Sequence, residues 1–174
     1  KAQQIDVTSN TTTATYYLTF ATGTSGTQTL YARSNINYNP NTDILNVTAA
    51  SALYADIAER YAADAVYEPG TVLMLGGEKE VTLARGHATT AVAGIVSTKP
   101  AYMLNSEAGN NDTHPFIALK GRVPCKVVGP VRKGERLVSS GTNPGYATAR
   151  QLGDDPHAVI GNALEDFAGP LGVI

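Results

Sequence analysis

Short apolar runs separated by turn residues dominate the chain from Val66 onward. No helix-length periodic segment lies between them, which favours a β barrel or sandwich over alternating strand–helix units. We therefore predict a small antiparallel β domain over residues 66–174. The apolar runs lie at residues 71–75, 80–83, 91–96, 116–119, 123–128, 135–138 and 158–163.

The first 48 residues alternate apolar and aromatic runs with polar turns, in a stretch rich in Thr, Ser and Asn. Runs at 16–20 and 30–32 flank a Gly-Thr-Ser-Gly turn, and runs at 36–38 and 44–47 flank an Asn-Pro-Asn-Thr turn. This pattern predicts two β-hairpins. Two hairpins lack a second layer and are marginal alone in water. We therefore predict a stalk segment whose hairpins intertwine with those of other copies of the chain.

Residues 49–65 separate these two regions and are predicted to form a short helical linker. The first thirteen of them contain good helix formers and neither Gly nor Pro. Their apolar residues recur at i, i+3, i+4 and i+7, which places them on one helix face. That face either packs on its own chain or meets the same helix of neighbouring copies. The apolar residues are Ala50, Leu53, Tyr54, Ile57, Ala58 and Tyr61.

Composition and charge change the range of functions to consider. The 174 residues are 43% hydrophobic, enough for a core, and the formal net charge is only −2. A chain without a basic field is a poor candidate for binding nucleic acid. No apolar run is long enough to span a bilayer, so no membrane insertion is expected. The chain begins at Lys1 without Met, and we interpret this as the start of a fragment, a tag remnant or a processing product.

Residues with catalytic or metal-binding chemistry are few and scattered. His87, His114 and His157 are far apart and lack the spacing of a metal site, so we expect loop histidines, no metal and no cofactor. Cys125 is the only cysteine and lies in an apolar run, which favours a buried hydrophobe over a nucleophile. The chain is therefore predicted not to be a metabolic enzyme.

Two further groups suggest surface contacts. One is a basic cluster, which is interrupted by Glu135 and lacks interleaved aromatic residues, so a solvated strand face is preferred over a nucleic-acid site. Tyrosines have flat, amphipathic faces that suit sugar or protein contacts, or packing at an interface. The basic cluster comprises Lys120, Arg122, Lys126, Arg132, Lys133 and Arg136. The tyrosines are Tyr16, Tyr17, Tyr31, Tyr38, Tyr102 and Tyr146.

Four segments resemble a C-terminal domain of tailed-bacteriophage fibre proteins. They begin with Asp56-Ile57-Ala58-Glu59-Arg60-Tyr61 and continue with residues 67–73, 92–105 and 119–127. Upstream, residues 17–20, 30–31 and 38–42 resemble the recurring strand and turn units of those fibres. The resemblance covers nearly the whole chain.

The resemblance implies a homotrimeric virion appendage, with a stalk around a threefold axis and a terminal β domain that helps three chains to register. The expected partners are two further copies of the chain, other tail or baseplate proteins of the virion, and a host-surface glycan or protein. The expected location is the virion, as a tail fibre. The residues predicted at the trimer interface are Tyr17, Leu30, Leu53, Ile57 and Tyr61.

Residues 54–59, followed by a Pro-Gly turn, are also similar to the intramolecular chaperone domains of phage appendages that cleave themselves after trimerisation. Such cleavage needs a nucleophile or an activated carboxylate beside the bond that is cut. Ser51, Asp56 and Glu59 are the local groups of that kind. The alternative for the carboxylates is a solvated face. A third possibility is a capsid decoration or head fibre protein.

Overall fold

A computed structural model describes residues 16–21, 30–39, 44–46 and 56–174. The chain divides into two compact units, Lys1–Ser51 and Ala52–Ile174. This division lies close to the predicted boundary between the hairpin segment and the linker. The two units are described separately below.

The N-terminal unit contains one antiparallel sheet of three strands in the order β1-β2-β3. Its strands are β1 (Tyr16–Ala21), β2 (Leu30–Asn39) and β3 (Ile44–Asn46). Two of the predicted strands, at 30–32 and 36–38, are parts of the single strand β2, because neither Gly nor Pro interrupts the residues between them. The predicted hairpins therefore share their central strand. Their intertwining with other copies stays a prediction.

The C-terminal unit is mainly β, which confirms the prediction of a β-rich domain. Within the described residues its only helices are two 3₁₀ turns, Ser106–Ala108 and Pro156–Ala158, and no helix there is long and apolar enough to cross a membrane. The strands are β4 (Asp56–Arg60), β5 (Val72–Leu75), β6 (Val81–Leu83), β7 (Val92–Val96), β8 (Tyr102–Leu104), β9 (Phe116–Gly121), β10 (Lys126–Val128), β11 (Arg136–Ser139), β12 (Ala147–Ala149), β13 (Gly161–Asn162) and β14 (Leu171–Val173).

These strands form two sheets, ordered β6-β5-β7-β9-β4-β8 and β13-β11-β12-β10-β14. Both sheets are mixed, because β4 pairs in parallel with β8 and β10 pairs in parallel with β12. The prediction of a purely antiparallel domain was therefore wrong. Among the described strands, no pairing closes either sheet into a barrel, and β6, β8, β13 and β14 are sheet edges.

The predicted helical linker was wrong where it can be compared, since residues 56–60 form strand β4. Burial along β4 alternates, with Asp56 and Ala58 buried and Ile57 exposed, as a two-residue period requires. Pairing with β9 on one side and β8 on the other satisfies the backbone there and overrides the helical propensity of Ala and Glu. Residues 49–55 of the predicted linker lie outside the described residues.

Two hydrophobic clusters hold this unit together. The first joins the two sheets, with Val72 of β5 packing among Val127 of β10, Leu137 of β11 and Ala147 of β12. The second contains Leu73, Val81, Val96 and Ile117 of the six-stranded sheet. Neighbouring residues Val72 and Leu73 point to opposite faces of β5, so each face of this strand has its own cluster. Tyr61, Ala63 and Tyr67 pack against the second cluster.

Candidate interaction surfaces

The edge of the six-stranded sheet carries an exposed apolar row. Ile57 on β4 pairs in register with Tyr102 on β8, and Glu59 pairs with Leu104. The exposed fractions are 41% for Ile57, 62% for Tyr102 and 45% for Leu104. We call Ile57, Tyr102 and Leu104 the edge row. Natural proteins usually cover or charge the edge of a sheet, because its free backbone groups are a template for pairing with another chain.

Arg60 forms hydrogen bonds to the loop that follows β8. Its Nε donates to the carbonyl of Ser106 at 3.1 Å, its Nη1 donates to Oδ1 of Asn111 at 3.2 Å, and Nη1 also donates to the carbonyl of His114. Asn105 returns a bond from Nδ2 to the Arg60 carbonyl at 3.3 Å. The polar loop after β8 is therefore held against the end of β4.

A groove of about 830 Å³ lies between the two sheets of the C-terminal unit. Its apolar lining comes from β7 and β9 on one side and from residues 160–164 on the other, and Lys120, Arg122 and Glu165 supply the charges. Leu119 and Leu164 in this lining are 46% and 57% exposed. Exposed apolar surface of this kind is typical of interaction sites.

A second, smaller cavity of about 370 Å³ lies where the turn before β5 meets the turn before β12. Two aromatic rings, Tyr67 and Tyr146, line it together with the ion pair of Glu68 and Lys126, whose Oε2 and Nζ atoms are 3.2 Å apart. We call this cavity the tyrosine pocket. Its remaining lining residues are Val66, Thr71, Leu83, Pro144 and Gly145.

The five residues predicted at the trimer interface have different positions. Tyr17 and Leu30 lie in the hairpin sheet, where their backbones pair with Asn37 and Ala21. Leu53 lies outside the described residues. Ile57 belongs to the edge row, whereas Tyr61 is half-buried against the second cluster and donates from its hydroxyl to Glu59 at 3.3 Å. Burial and the Glu59 carboxylate both raise the pKa of Tyr61.

The candidate nucleophiles differ in environment. Ser51 lies outside the described residues. Asp56 is 4% exposed, and its Oδ2 atom has no hydrogen-bond partner among the residues the structure describes. Cys125 is buried in the first cluster, and that burial raises the pKa of its thiol to about 12. At neutral pH the sulfur is therefore a protonated thiol with little nucleophilic character.

The three histidines do not converge. His87 pairs through Nε2 with Oδ1 of Asp154 at 2.9 Å, His114 contacts its neighbour Thr113, and His157 donates its backbone N–H to Asp155. Within residues 56–174 and the described hairpin strands, no group of three His, Cys, Asp or Glu residues could hold a metal ion.

The basic cluster is divided by acidic partners. Lys126 pairs with Glu68, and Glu135 and Asp166 accept backbone N–H groups from Arg132 and Lys133. Glu68 is thus paired with the Lys126 cation, and two more carboxylates bind the backbone at Arg132 and Lys133, which makes a continuous positive surface for phosphates unfavourable.

In comparisons with known proteins, no family model, curated protein or solved structure matches this chain.

Proposed function

We propose that the chain is a structural component of a trimeric phage tail fibre that serves fibre assembly, attachment to the host surface, or both. The observation that carries the proposal is the edge row. It leaves apolar side chains and backbone hydrogen-bonding groups exposed at the edge strand β8. A second copy that covers this edge would bury the apolar side chains and pair the exposed backbone groups.

The resemblance of residues 56–61, 67–73, 92–105 and 119–127 to phage fibre domains supplies the number of copies and the biological setting. Each of these segments contributes at least part of a strand to the two mixed sheets. A closed ring of three copies uses one surface to bind the next copy, and so each subunit needs two complementary patches. The edge row and the groove between the sheets are two exposed apolar surfaces of the C-terminal unit that suit these patches.

Light scattering on the purified 174-residue chain tests this function. Three copies in the particle, each of 18.2 kDa, support the proposal. A folded protein that stays at the mass of one chain at micromolar concentration contradicts it.

A second candidate is a self-cleaving chaperone domain of a phage appendage, and Asp56 is the observation that favours it. A buried carboxylate oxygen without a hydrogen-bond partner lowers the stability of the fold, so its presence at this position favours a functional role. Intact mass spectrometry of the purified chain separates the two functions. A single cut close to Asp56, lost in Asp56→Asn, supports cleavage, and a full-length product contradicts it.

A further inference from the structure

We propose that the tyrosine pocket binds a short, neutral saccharide. This inference deepens the proposed attachment role and rests on it for its biological setting. The cavity volume of about 370 Å³ is near the lower end of the roughly 300–1,000 Å³ typical of small-molecule sites. A ligand of a few sugar rings, partly exposed to water, fits a cavity of that size.

Two tyrosines line the pocket, and one of them is fixed by its own hydrogen bonds. The Tyr67 hydroxyl donates to Oδ1 of Asp64 and accepts the backbone N–H of Leu83 at 3.1 Å, so the hydroxyl end of that side chain is fixed by two hydrogen bonds. The Tyr146 hydroxyl has no hydrogen bond to any residue the structure describes, which leaves it available to a ligand. Tyrosine rings present an apolar face to the C–H groups of a sugar and a hydroxyl to its oxygens.

The backbone under Tyr146 is fixed as well. Buried Ser140 accepts the N–H groups of Thr142 and Asn143 on its Oγ at 3.2 and 3.1 Å, and the Tyr146 N–H donates to the Asn143 carbonyl at 3.2 Å. The Gly145 N–H donates to the Ala84 carbonyl at 2.9 Å, and the Gly145 carbonyl accepts the N–H of Val72 at 2.8 Å. A pocket whose walls are already ordered loses little conformational entropy when a ligand binds.

Gly145 is required at the floor of the pocket. Its φ is +79°, a backbone angle that residues with a side chain rarely adopt. A Cβ at this position would lie 2.6 Å from Cδ1 of Leu83. Glycine therefore allows the turn to approach Leu83 closely and gives the cavity its shape.

The charges of the pocket favour a neutral ligand. Glu68 and Lys126 contribute one charge of each sign, and they pair with each other at 3.2 Å. Together they offer carboxylate acceptors and ammonium donors, which suit sugar hydroxyls that both donate and accept. An anionic sugar would have to compete with Glu68 for Lys126, so its binding is disfavoured. A proline-rich peptide could also use the aromatic faces, but it makes little use of these paired charges.

Saturation-transfer NMR on the full chain tests the proposal. The probes are maltotriose, cellotriose, triacetylchitotriose and galactotriose as neutral sugars, trigalacturonic acid as an anionic sugar, and a proline decamer as a peptide. The variants are Tyr146→Ala, Tyr146→Phe and Glu68→Gln. Glu68 has an 81% exposed side chain, so its replacement leaves the fold intact. Leu152→Ala removes a fully exposed apolar side chain outside the pocket and is the matched control.

We expect at least one neutral trisaccharide to bind, with affinity at least tenfold weaker in Tyr146→Ala and severalfold weaker in Glu68→Gln. Tyr146→Phe should keep the ring contact and weaken binding less than Tyr146→Ala, and Leu152→Ala should bind as the unmodified chain does. The proposal is overturned if no neutral probe binds, if binding is the same in all pocket variants, or if only the acidic sugar or the peptide binds. A trimer that binds none of the sugars would overturn the saccharide proposal but not the proposed fibre function. A monomer that binds a neutral sugar through Tyr146 would support the saccharide proposal and contradict the trimeric fibre.

Discussion

The guanidinium of Arg60 lies over the ring of Phe116, with its central carbon 3.9 Å from the ring centroid. Arg60 ends β4 and Phe116 begins β9, and these two residues are paired in register. The same guanidinium bonds to Ser106, Asn111 and His114. One side chain thus joins the start of β9 to the polar loop that precedes it.

Replacement of Arg60 by Ala should loosen that loop and destabilise the domain. Loss of the cation–π contact and of the charged hydrogen bonds should cost about 2 kcal/mol of unfolding free energy. Urea unfolding measures the cost, and hydrogen exchange should show faster amide exchange in residues 105–114. Arg132→Ala, at an exposed arginine on another turn, serves as the control and should change neither quantity. Unchanged exchange in the loop of Arg60→Ala would contradict the role given to Arg60.

Gly94 should not tolerate a side chain. Its φ is +152°, and a Cβ would lie 2.7 Å from both the Ala118 carbonyl oxygen and Cγ2 of Ile117. Gly94→Ala is expected to cost about 3 kcal/mol through overpacking and backbone strain, seen as a lower thermal midpoint. Gly161→Ala is the matched control, since nothing lies within 4 Å of a Cβ there. Equal midpoints for the two variants would show that β9 moves aside at little cost.

Acid should weaken the contact between the loop before β7 and the turn before the second 3₁₀ helix. A backbone hydrogen bond from Gln151 and the nearby His87 lower the pKa of Asp154. A carboxyl whose pKa is lower in the folded state stabilises the fold above its unfolded pKa of about 3.9, and this contribution is lost as pH falls through the folded value. The difference in urea stability between the unmodified chain and Asp154→Asn should therefore shrink as the pH falls below about 4. A difference that grows as the pH falls below about 4 would contradict a lowered pKa of Asp154 in the folded state.

Cys125 should resist alkylation in the folded protein. With its pKa raised to about 12, the thiolate fraction at pH 8 is on the order of 1 in 10⁴, compared with about a quarter in an unfolded chain. Iodoacetamide should label the folded protein at least about 100-fold more slowly than the protein in urea, as followed by intact mass. Similar rates in the two states would mean that the first cluster opens readily.

Many of the buried strands could be predicted from the sequence because their residues form short apolar runs. Strands β5, β6, β7, β9 and β11 coincide with apolar runs bounded by turn residues. Strands β8 and β14 were missed, since most of their side chains are exposed and so give no alternation of burial to detect. Strand β12 has three small or polar residues, Ala147–Ala149, and its partners on both sides determine it.

The helix prediction failed at β4 because its apolar residues fit both the helical period of about 3.6 residues and the two-residue period of a strand. Ala58 fits the apolar stripe of a helix and also the buried face of a strand, and only the pairing with β8 and β9 decides between them. The sequence indicated Tyr146 as one of the tyrosines suited to sugar or protein contacts, but it could not predict the pocket, since Tyr67 and Tyr146 are far apart in the sequence. Only their shared contacts with the turns around β5, β6 and β12 bring them together.

The central claim is that copies of this chain assemble through the edge row. Sedimentation analysis of the unmodified chain beside Ile57→Glu and Leu152→Glu tests it most directly, because both substitutions add one charge at an exposed apolar position and only Ile57 lies in the row. We predict a trimer for the unmodified chain and for Leu152→Glu, and a shift toward folded 18.2 kDa monomers for Ile57→Glu. A monomeric unmodified chain, or an Ile57→Glu trimer as tight as the others, would contradict the claim.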